Sequence, residues 1–464
     1  MTDKVYDLII IGSGSAGLTA VEFASKIDAE VLLVEADRIG GDCTWTGCVP
    51  SKALIHCAST INELRKGKDK GLFFGDLMVT FEGVKNYVHE AITTIAATES
   101  PEILRKEGID VALGKARFIS SNEIEVNKAV YSGRKFLIAS GAKPYIPLIE
   151  GLESVPFLTY ETIFDIEQLP DHLIVIGGGP VGCELAQAFL RLGSRVTLIE
   201  SKNQLLPRDD PEASDLLARV FQREGMNLLF SKNVVKVIKD ENSNEIIAFM
   251  ENGDETRGSH LLVAAGRKPN LEGLGLGSIG IKIDNNRGIV VDKDLKTSLN
   301  HIYAAGDCTG GLQFTHLAGY QGFVAARNAL LPGNVEGIVK HVPWTTFTDP
   351  EVAHVGLSDV KRYDKPSEVL TCSWSLDKVD RAIIDGKTSG FIKIFHKRNG
   401  EILGVTIVAP NAGELITEWA IAMNNGIKLG DVAGTIHVYP TYSTGAQQVA
   451  YIIRMNEFVR RKTG

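Results

Sequence analysis

Cysteine is scarce in this sequence, and the few cysteines present are widely spaced. There are six in 464 residues, at positions 43, 48, 57, 183, 308 and 372. A secreted domain held together by a disulfide framework would carry more of them in a shorter chain. We therefore expect a reducing compartment, in which a disulfide between two of these residues would serve catalysis.

Long apolar runs and blocks of basic residues are also lacking. The apolar stretch at residues 5–11 is too short to span a membrane, and the acidic residue before it does not fit a signal peptide. The formal net charge is −8 and is spread along the chain, which argues against nucleic acid or an anionic membrane surface as the main partner. The protein is predicted to be cytoplasmic.

Glycine, in contrast, is abundant, with 47 residues in an otherwise ordinary composition of 44% hydrophobic and 23% charged residues. This excess is typical of nucleotide-binding turns. A chain of this length exceeds what one hydrophobic core supports, so we expect two to four domains.

A glycine-rich turn follows the first apolar run. Gly12, Gly14 and Gly17 have the spacing G-x-G-x-x-G, a helical run follows them, and the next apolar strand ends at Glu35. Such glycines let the backbone approach a pyrophosphate at the start of a helix, and the acid can accept hydrogen bonds from both hydroxyls of an adenosine ribose. This context predicts a dinucleotide site formed by these four residues.

The same pattern recurs at Gly177, Gly179 and Gly182, with the acid at Glu200. In both copies the acid lies 23 positions after the first glycine. A carboxylate here would repel the 2′-phosphate of NADPH, and Lys202 offsets that repulsion only in part, so NADH is favoured and NADPH remains possible. The alternative is that both acids are merely polar residues at strand exits.

Further apolar strands end at glycines and indicate where the units close. Residues 136–140 lead into Gly141 and residues 261–265 into Gly266, and each strand closes a unit rich in β-α-β connections. The first unit resumes with a strand that ends before Asp307. From about residue 335 alternating apolar runs, such as residues 391–395, predict antiparallel strands.

We therefore predict an α/β fold with two Rossmann-like nucleotide-binding domains and a C-terminal α+β domain. The second nucleotide domain is inserted in the first. The boundaries are 1–150 and 267–334 for the two parts of the first nucleotide-binding domain, 151–266 for the second, and 335–464 for the C-terminal domain.

The most specific pattern in the chain is the cysteine segment at residues 40–52, which reads GGDCTWTGCVPSK. Four residues separate Cys43 from Cys48, so the two can bridge at a helix start, where the helix dipole would lower the pKa of the nearer thiol. Two buried free cysteines would be the default interpretation of such a pair on its own. The surrounding motif, placed behind a nucleotide fingerprint, favours a redox pair.

This segment resembles the class I pyridine nucleotide-disulfide oxidoreductases, the family of dihydrolipoamide dehydrogenase, glutathione reductase and mercuric reductase. Similarity extends over essentially the whole chain, through residues 177–184, 265–270 and 303–307 and the Pro440-Thr441 region. The resemblance implies FAD and NADH as cofactors, a small-molecule or thiol/disulfide substrate, and a homodimer. It makes residues 1–150 and 267–334 the FAD-binding domain, residues 151–266 the NAD(P)-binding domain, and residues 335–464 the dimerisation or interface domain. It also implies that the glycines already named, with Gly141 and Gly266, bind cofactors.

The resemblance assigns individual roles near the flavin. Cys43 would attack the substrate, and Cys48 would lie against the flavin. Lys52, one turn into the helix, would lie near the flavin N5 and pair with Glu184, while Asp307 would hold the ribityl chain. The other cysteines are predicted to be small packing residues, at positions 57, 183, 308 and 372.

The chain departs from the family at its C-terminal motif. Disulfide reductases of this family end in H-x-H-P-T-x-x-E, whose second histidine is the acid–base catalyst for the other subunit. Here Tyr439 replaces that histidine and Thr444 replaces the glutamate. A tyrosine with a pKa of ~10 is a poor base near neutral pH. Two alternatives stay open at this motif. His437 is either a substitute base or a structural histidine at the dimer interface, and the sequence leaves open whether Tyr439 takes part in the chemistry.

A tyrosine near the cysteine pair suggests the mercuric-reductase branch, which needs no histidine base. Residues 314–322, 345–351 and 379–382 also resemble that branch most. Mercuric reductases carry a second cysteine pair at the C-terminus, however, and residues 456–464 contain none. We also expect no metal-binding domain before Val5, and no resident metal site is predicted.

These patterns predict an enzyme that passes electrons from NADH through FAD to the Cys43–Cys48 disulfide. Cys43 would pass them on to a disulfide, a thiolate-bound metal ion or a similar acceptor. One alternative is an NADH:quinone reductase of the diaphorase type, which uses the flavin directly. Another is a partner-binding flavoprotein with little turnover.

Overall fold

Apolar, largely β-branched residues form the central strands of the first unit, because these strands are covered on both faces. The side chains of residues 8–11 and 31–34 are buried. The computed structural model describes residues 4–285 and 287–463, with side chains to residue 455. The first segment contains strands β1 (Val5–Tyr6), β2 (Leu8–Ile11), β3 (Val31–Glu35), β4 (Asp110–Leu113), β5 (Ala116–Ser120), β6 (Glu123–Val126), β7 (Ala129–Gly133), β8 (Phe136–Ile138) and β9 (Ala142–Pro144).

The helices of this segment follow the glycine turn and the cysteine motif. They are α1 (Ser15–Ser25), α2 (Gly41–Trp45), α3 (Cys48–Asp69), α4 (Phe81–Ala96) and α5 (Pro101–Lys106). Helix α1 follows directly on the first fingerprint, and the short helix α2 carries Cys43. Helix α3 begins at Cys48, so the two cysteines lie on consecutive helices.

The second segment repeats the strand–turn–helix–strand arrangement of the first. Its strands are β10 (His172–Ile176), β11 (Arg195–Glu200), β12 (Asn227–Phe230), β13 (Val234–Lys239), β14 (Ile246–Met250), β15 (Glu255–Gly258) and β16 (His260–Val263). Its helices are α6 (Pro180–Leu192) and α7 (Pro211–Arg223). Helix α6 is buried over most of its length, because it packs between the parallel sheet and helix α3.

The rest of the chain returns to the first unit and then forms the C-terminal one. The return contains β17 (Arg267–Pro269), β18 (Ile283–Asp284), β19 (Gly288–Ile289), β20 (Ile302–Ala304) and helix α8 (Thr315–Leu330). The C-terminal unit contains β21 (Trp344–Thr346), β22 (Glu351–Gly356), β23 (Leu370–Ser375), β24 (Phe391–His396) and β25 (Ile402–Ala409). Its helices are α9 (Asp380–Asp385), α10 (Ala412–Asn424), α11 (Leu429–Gly434) and α12 (Ser443–Thr463).

The sheets confirm the predicted fold class. A parallel sheet of order β20-β8-β2-β3-β4 forms the first unit beside a sheet of order β1-β7-β6-β5. A parallel sheet of order β12-β11-β10-β16 forms the second, with the antiparallel sheet β13-β14-β15. The C-terminal unit is an antiparallel sheet of order β21-β22-β25-β24-β23. Strand β20 returns to the first sheet from beyond the second unit, so the second unit is inserted in the first.

The predicted domain boundaries fall in connections between these sheets and stay predictions. Position 266 lies between β16 and β17, and position 334 lies between α8 and β21. Near position 150 the chain already bridges to strand β13 of the second unit, through Glu150 and Lys236. In the described residues, no helix combines the length and the apolar composition required to cross a membrane.

Candidate active site

The first glycine fingerprint forms a tight turn between β2 and α1. Gly12 has a φ of +104°, and a Cβ on it would lie 2.3 Å from the carbonyl oxygen of Ala139. A Cβ on Gly17 would lie 1.9 Å from the oxygen of Gly12, so helix and strand pack too closely for any side chain. A Cβ on Gly14 would meet nothing within 4 Å. That position faces open space, as the approach of a bound phosphate requires.

The second fingerprint has the same geometry. Gly177 has a φ of +113°, with a hypothetical Cβ 2.4 Å from the oxygen of Ala264, and a Cβ on Gly182 would lie 1.9 Å from the oxygen of Gly177. Gly179 is again open, with nothing within 4 Å. Each turn therefore leaves room in front of its helix N-terminus, where backbone N–H groups favour an anion.

The two acids at the strand ends are buried and hold their turns together. Glu35 accepts hydrogen bonds from the backbone N–H of Ser13 at 2.8 Å and from its hydroxyl at 2.6 Å. Glu200 accepts from the N–H of Gly178 at 2.6 Å and from the N–H of Lys202 at 2.7 Å. The acids thus have a structural task, and both also line the cleft described below, where binding to a ribose stays a prediction.

The two cysteines of the redox motif meet where α2 ends and α3 begins. Both are half-buried free thiols, which is the dithiol form of the pair. A hydrogen bond between them raises the pKa of Cys43 far above its ordinary value and lowers that of Cys48 to about 6. Burial opposes the lowering at Cys48. The hydroxyl of Thr315, 3.2 Å from its Sγ, and the charge of Lys52 reinforce it.

The structure therefore places the thiolate on Cys48 and the shared proton on Cys43. The direction agrees with the prediction from the helix start, but the largest cause is the hydrogen bond from Cys43 rather than the helix terminus. A thiolate is the form that donates electrons, whereas the thiol does not. The charge of the pair therefore lies on Cys48, and the role of the pair in electron transfer stays a prediction.

The ammonium of Lys52 forms the predicted pair with Glu184, at 2.8 Å from its Oε2. Glu184 is buried, and its Oε1 accepts a hydrogen bond from the backbone N–H of Phe347 at 2.8 Å. The Phe347 ring lies beneath the same ammonium, 4.5 Å from the Nζ. The lysine beside the dithiol is therefore held by helix α6 and by the C-terminal unit together. Its catalytic role stays a prediction.

A continuous cleft of about 2490 Å³ joins both fingerprints to the dithiol. Most of the predicted cofactor-binding and catalytic residues line it: Gly12, Gly14, Glu35, Cys43, Cys48, Lys52, Gly141, Gly177, Gly179, Glu184, Glu200, Gly266 and Asp307. Gly17 and Gly182 lie behind the turns, where they permit the packing described above.

Comparison with known proteins identifies the family. Residues 6–322 match the pyridine nucleotide-disulphide oxidoreductase family, and residues 342–450 match the dimerisation domain of the same enzymes. The chain belongs to the pyridine nucleotide-disulphide oxidoreductases. Members of this family use FAD and NAD(P)H, so this chain is an NAD(P)H-dependent flavin disulfide oxidoreductase, and its dimerisation domain supports a homodimer.

Its relatives include two kinds of enzyme. A mercuric reductase of Bacillus cereus is 35% identical over 95% of this chain and 70% of that enzyme. A dihydrolipoyl dehydrogenase of Thermus scotoductus is 34% identical over 96% of this chain and 97% of that enzyme. The solved structure of the HOCl-induced flavoprotein disulfide reductase RclA from Escherichia coli has a TM-score of 0.86 and 26% identity, covering 96% of this chain and 99% of that one. A Cu(II) complex of the same reductase has a TM-score of 0.85.

The residues present fit both cofactors of the family. The open positions at Gly14 and Gly179 leave a place for a pyrophosphate on each side of the cleft. The Nε of Arg267, also in the cleft wall, is buried and has no partner among the described residues, so it can donate to a bound acceptor. In the same described part of the chain, no cluster of three or more His, Cys, Asp or Glu side chains is arranged to hold a metal ion.

Two predicted catalytic residues, His437 and Tyr439, lie outside the cleft of their own chain. His437 binds Oε1 of Glu418 through its Nε2, at 2.8 Å, and its Nδ1 has no partner in the described structure. Tyr439 is 69% exposed and donates to Oδ2 of Asp380 at 2.7 Å. A single chain does not bring either residue to the dithiol, so any role in catalysis would be in the other subunit and stays a prediction.

The remaining cysteines pack as predicted, but to different depths. Cys183 and Cys308 are fully buried in the cores of the two nucleotide-binding units. Cys57 and Cys372 are half-buried and pack against the edges of their cores. Burial raises the pKa of Cys57 and of Cys372, so both stay protonated and unreactive relative to Cys48.

Three residues of the site, Thr315, Asp42 and Arg267, were not predicted from the sequence. Thr315 follows a glycine-rich loop far along the chain and reaches Cys48 only through the fold. Asp42 precedes Cys43 directly, and Arg267 follows Gly266, so their positions beside known motif residues could have marked them. Their contact, at 2.9 Å, joins segments 225 residues apart.

Proposed function

We propose that this protein is an NADH-dependent reductase whose dithiol passes electrons to a thiophilic metal ion bound as a thiolate complex. When bound, FAD supplies the chemistry that takes a hydride from the nicotinamide and hands an electron pair to the cysteines. In the dithiol so formed, Cys48 carries the negative charge and Cys43 the proton. Cys43 is the residue we expect to exchange with the acceptor.

The observation that favours a metal ion over a disulfide is the state of Tyr439. Reduction of a metal ion needs no proton transfer to a sulfur leaving group, whereas disulfide turnover needs an acid–base group. The hydrogen bond to Asp380 raises the pKa of Tyr439 above its ordinary value, which makes it a still poorer base near neutral pH. The similarity to mercuric reductases and to a reductase solved as a Cu(II) complex supports the same choice.

The electron balance closes without a further reactant. The two thiolates bind the ion and re-form the S–S bond as two electrons pass to it. These reduce one ion that accepts two electrons or two ions that accept one each. The single proton held by Cys43 is released, and the small thiolates that carried the ion leave as free thiolates. NADH then restores the dithiol. Lys52 and Glu184 keep a positive charge paired beside Cys48 throughout this exchange.

The preference for NADH forms part of the same proposal. Glu200 lies at the end of β11, in the position where a ribose hydroxyl of NADH would donate to it and a 2′-phosphate would be repelled. Lys202 and Lys232 lie beside it in the cleft, and Lys232 is already paired with Asp254 at 2.7 Å. Among the described residues Lys202 has no ion-pair partner, but its single charge does not outweigh the adjacent carboxylate, so we expect NADPH to react more slowly.

The decisive experiment begins with an anaerobic titration of the holoenzyme with NADH and, in parallel, NADPH, recording the whole visible spectrum. The proposal predicts partial bleaching of the flavin and a long-wavelength band from the Cys48 thiolate. Full bleaching without that band would remove the dithiol from the electron path and favour direct flavin chemistry with quinones.

The acceptor is then assigned with four substrates: Hg²⁺ as a complex with excess small thiol, Cu²⁺ as a complex with an amino acid because a free thiol would reduce it, a disulfide, and a quinone. We expect turnover with the metal complexes that Cys43→Ser abolishes and that Cys57→Ser, a matched change on the neighbouring helix α3, leaves intact. Turnover with the disulfide alone would refute the metal proposal. Quinone turnover that survives Cys43→Ser would instead identify a diaphorase, and a stoichiometric partner with negligible turnover would identify a binding protein.

A further inference from the structure

A single guanidinium, that of Arg267, lies between two carboxylates that serve different parts of the site. Its Nη2 lies 2.9 Å from Oδ2 of Asp42 and 3.0 Å from Oδ2 of Asp307. The ring of Tyr160 lies against the guanidinium, 4.7 Å from its Cζ, and the hydroxyl of the same tyrosine donates to Asp42 at 3.3 Å. Four segments of the chain thus meet at one cation.

The sequence positions of these residues give the contact its importance. Asp42 is in the short helix α2, directly before Cys43. Asp307 follows β20 and is the residue expected to hold the ribityl chain of FAD. Arg267 begins β17, directly after the inserted unit. The cluster therefore connects the helix that carries the exchanging thiol to the carboxylate on the flavin side of the cleft.

The positive charge of Arg267 offsets the negative charges of the acids around it. Burial raises the pKa of Asp307, the charge of Arg267 lowers it, and the charge of Asp42 raises it again. Glu161 is a third acid in the cleft wall. The charge of Asp42 also raises the pKa of Glu161, and the charge of Arg267 lowers it. The carboxylates repel one another and tolerate proximity only because Arg267 lies between them.

Helix α2 is five residues long and is held at two places. At its C-terminal end, Trp45 packs against a core and donates to the carbonyl oxygen of Ile39 at 2.7 Å, and the Thr44 hydroxyl reaches Glu99 at 3.2 Å. At its N-terminal end, the side chain of Asp42 is held by Arg267 and Tyr160. A helix this short is not stable through its own hydrogen bonds, so its position depends on tertiary contacts. The bond from Cys43 to Cys48, the largest cause of the thiolate on Cys48, requires that position to be held.

We propose that Arg267 is a positioning residue, whose guanidinium binds Asp42 and Asp307 together and so fixes the helix of Cys43 against the flavin-binding side of the cleft. The contact to Asp42 keeps Cys43 in hydrogen-bonding reach of Cys48. The contact to Asp307 keeps a cation beside an anionic cofactor. This inference goes beyond the proposed acceptor and does not depend on it.

The test compares Asp42→Asn, Arg267→Gln and the double variant, as holoenzymes with excess FAD reduced anaerobically. The measured quantity is the pH profile of the Cys48 thiolate, followed by its long-wavelength absorbance with the flavin across pH 4–9. If Arg267 positions the helix, each single variant weakens the Cys43–Cys48 bond, so each moves the Cys48 profile upward by about one pH unit. The double variant then adds no further shift, since both changes break one contact.

A purely electrostatic effect would give another pattern. Removing a negative charge at Asp42 would move the Cys48 profile downward, and removing a positive charge at Arg267 would move it upward. Opposite shifts, additive shifts or unchanged profiles would each overturn the proposal. Arg257→Gln, the same change at an exposed arginine paired with Asp240, should leave the profile as in the wild type.

FAD retention supplies an independent measurement. Arg267→Gln should weaken FAD binding at least about tenfold, as seen by the fluorescence of flavin released on dilution, because two partly buried acids then face the cofactor without the guanidinium between them. Asp42→Asn should retain FAD within about twofold, since Arg267 still binds Asp307. Arg267→Lys keeps the positive charge but loses the planar guanidinium, so its FAD retention should lie between that of the wild type and that of Arg267→Gln. Equal retention in all variants would remove the flavin part of the proposal.

Discussion

At the scale of single residues, the dithiol owes its reactivity to neighbours that the cysteine motif does not contain. Cys48 is stabilised as a thiolate first by Cys43 and then, against burial, by Thr315 and Lys52. Thr315 comes from the start of helix α8, more than 260 residues away. A single substitution can remove its hydroxyl with little other change, because valine has nearly the same shape as threonine.

Thr315→Val should therefore raise the pKa of Cys48 from about 6 by about one unit, because a hydrogen bond to a charged acceptor is lost. The thiolate forms as pH rises through the pKa, so the pH at which the long-wavelength absorbance appears moves upward. Thr93→Val, at an exposed helix position, is the control. An unchanged midpoint would show that Thr315 does not stabilise the thiolate.

Glu200→Gln should shift the nucleotide preference toward NADPH. The charge that repels a 2′-phosphate is removed while the side chain keeps its size, so the ratio of kcat/KM for NADPH to that for NADH should rise at least about tenfold. The ratio is the proper measure, because Glu200 also holds Gly178 and Lys202, and any loosening of the turn affects both nucleotides. Glu241→Gln, an exposed surface change, should leave the ratio constant.

The proximity of the two cysteines and the tight turns at the glycines were predictable because each depends on fixed spacings within one segment. Cys43 and Cys48 are five positions apart, and each fingerprint occupies six residues. The cluster of Asp42 and Arg267 has no such spacing, since its members are 225 residues apart. Side chains brought together by separate strands leave no periodic trace in a single sequence, and only the fold reveals them.

At the scale of elements, the strand–turn–helix units were predictable because their strands are continuous buried runs. The runs before Gly12 and Gly177 read as strands without ambiguity, and they form β2 and β10. The connections between the units were less predictable. The turn at residues 207–210 and strand β21, for example, are joined by a bond from Trp344 Nε1 to Oδ1 of Asp209, at 2.8 Å.

That bond places a buried acid between the inserted unit and the C-terminal unit. Asp209 is 2% exposed, and burial raises its pKa to about 6. The folded protein thus holds the proton more tightly than the unfolded chain does, whose pKa is about 4. The associated stabilisation is complete below about pH 4 and is lost as pH rises through 6.

Asp209→Asn should accordingly stabilise the protein only at the higher pH. The asparagine oxygen can still accept from Trp344, and the cost of burying a charge disappears, so we expect a gain of about 3 kcal/mol above pH 7 and little gain near pH 4. The measurement is the melting temperature of the holoenzyme between pH 4.5 and 8. Asp215→Asn, on the exposed side of helix α7, is the control, and a gain that does not vary with pH would contradict the assignment.

At the scale of the whole molecule, one chain brings both glycine fingerprints and both cysteines to one cleft but leaves an apolar surface exposed in its dimerisation domain. Ile436, Val438 and Tyr439 are 94%, 75% and 69% exposed, and Ile383 and Ile384 on helix α9 are exposed as well. Tyr439 bonds to Asp380 at the start of that helix, so these residues belong to one surface. A monomer would leave this surface in water.

Val438→Asp should weaken the homodimer, because burial of a valine contributes roughly 1.5–3 kcal/mol and a carboxylate in its place must be desolvated. We expect the dimer dissociation constant to rise at least about 100-fold, measured by light scattering over a concentration series. Val235→Asp, at a 44% exposed position on β13 in the inserted unit, should leave the dimer intact.

Val438→Asp also separates the reaction steps that a single chain can perform from those that require the dimer. Cys43, Cys48, Lys52 and Glu184 lie in the cleft of a single chain, so NADH should still reduce the flavin and the dithiol in the monomer. His437 and Tyr439 lie outside that cleft, and the family resemblance places them at the partner's site. Turnover of the metal complex should therefore fall with the dimer fraction if these residues shape the acceptor site. Turnover that stays constant as the dimer dissociates would assign acceptor reduction to each chain alone.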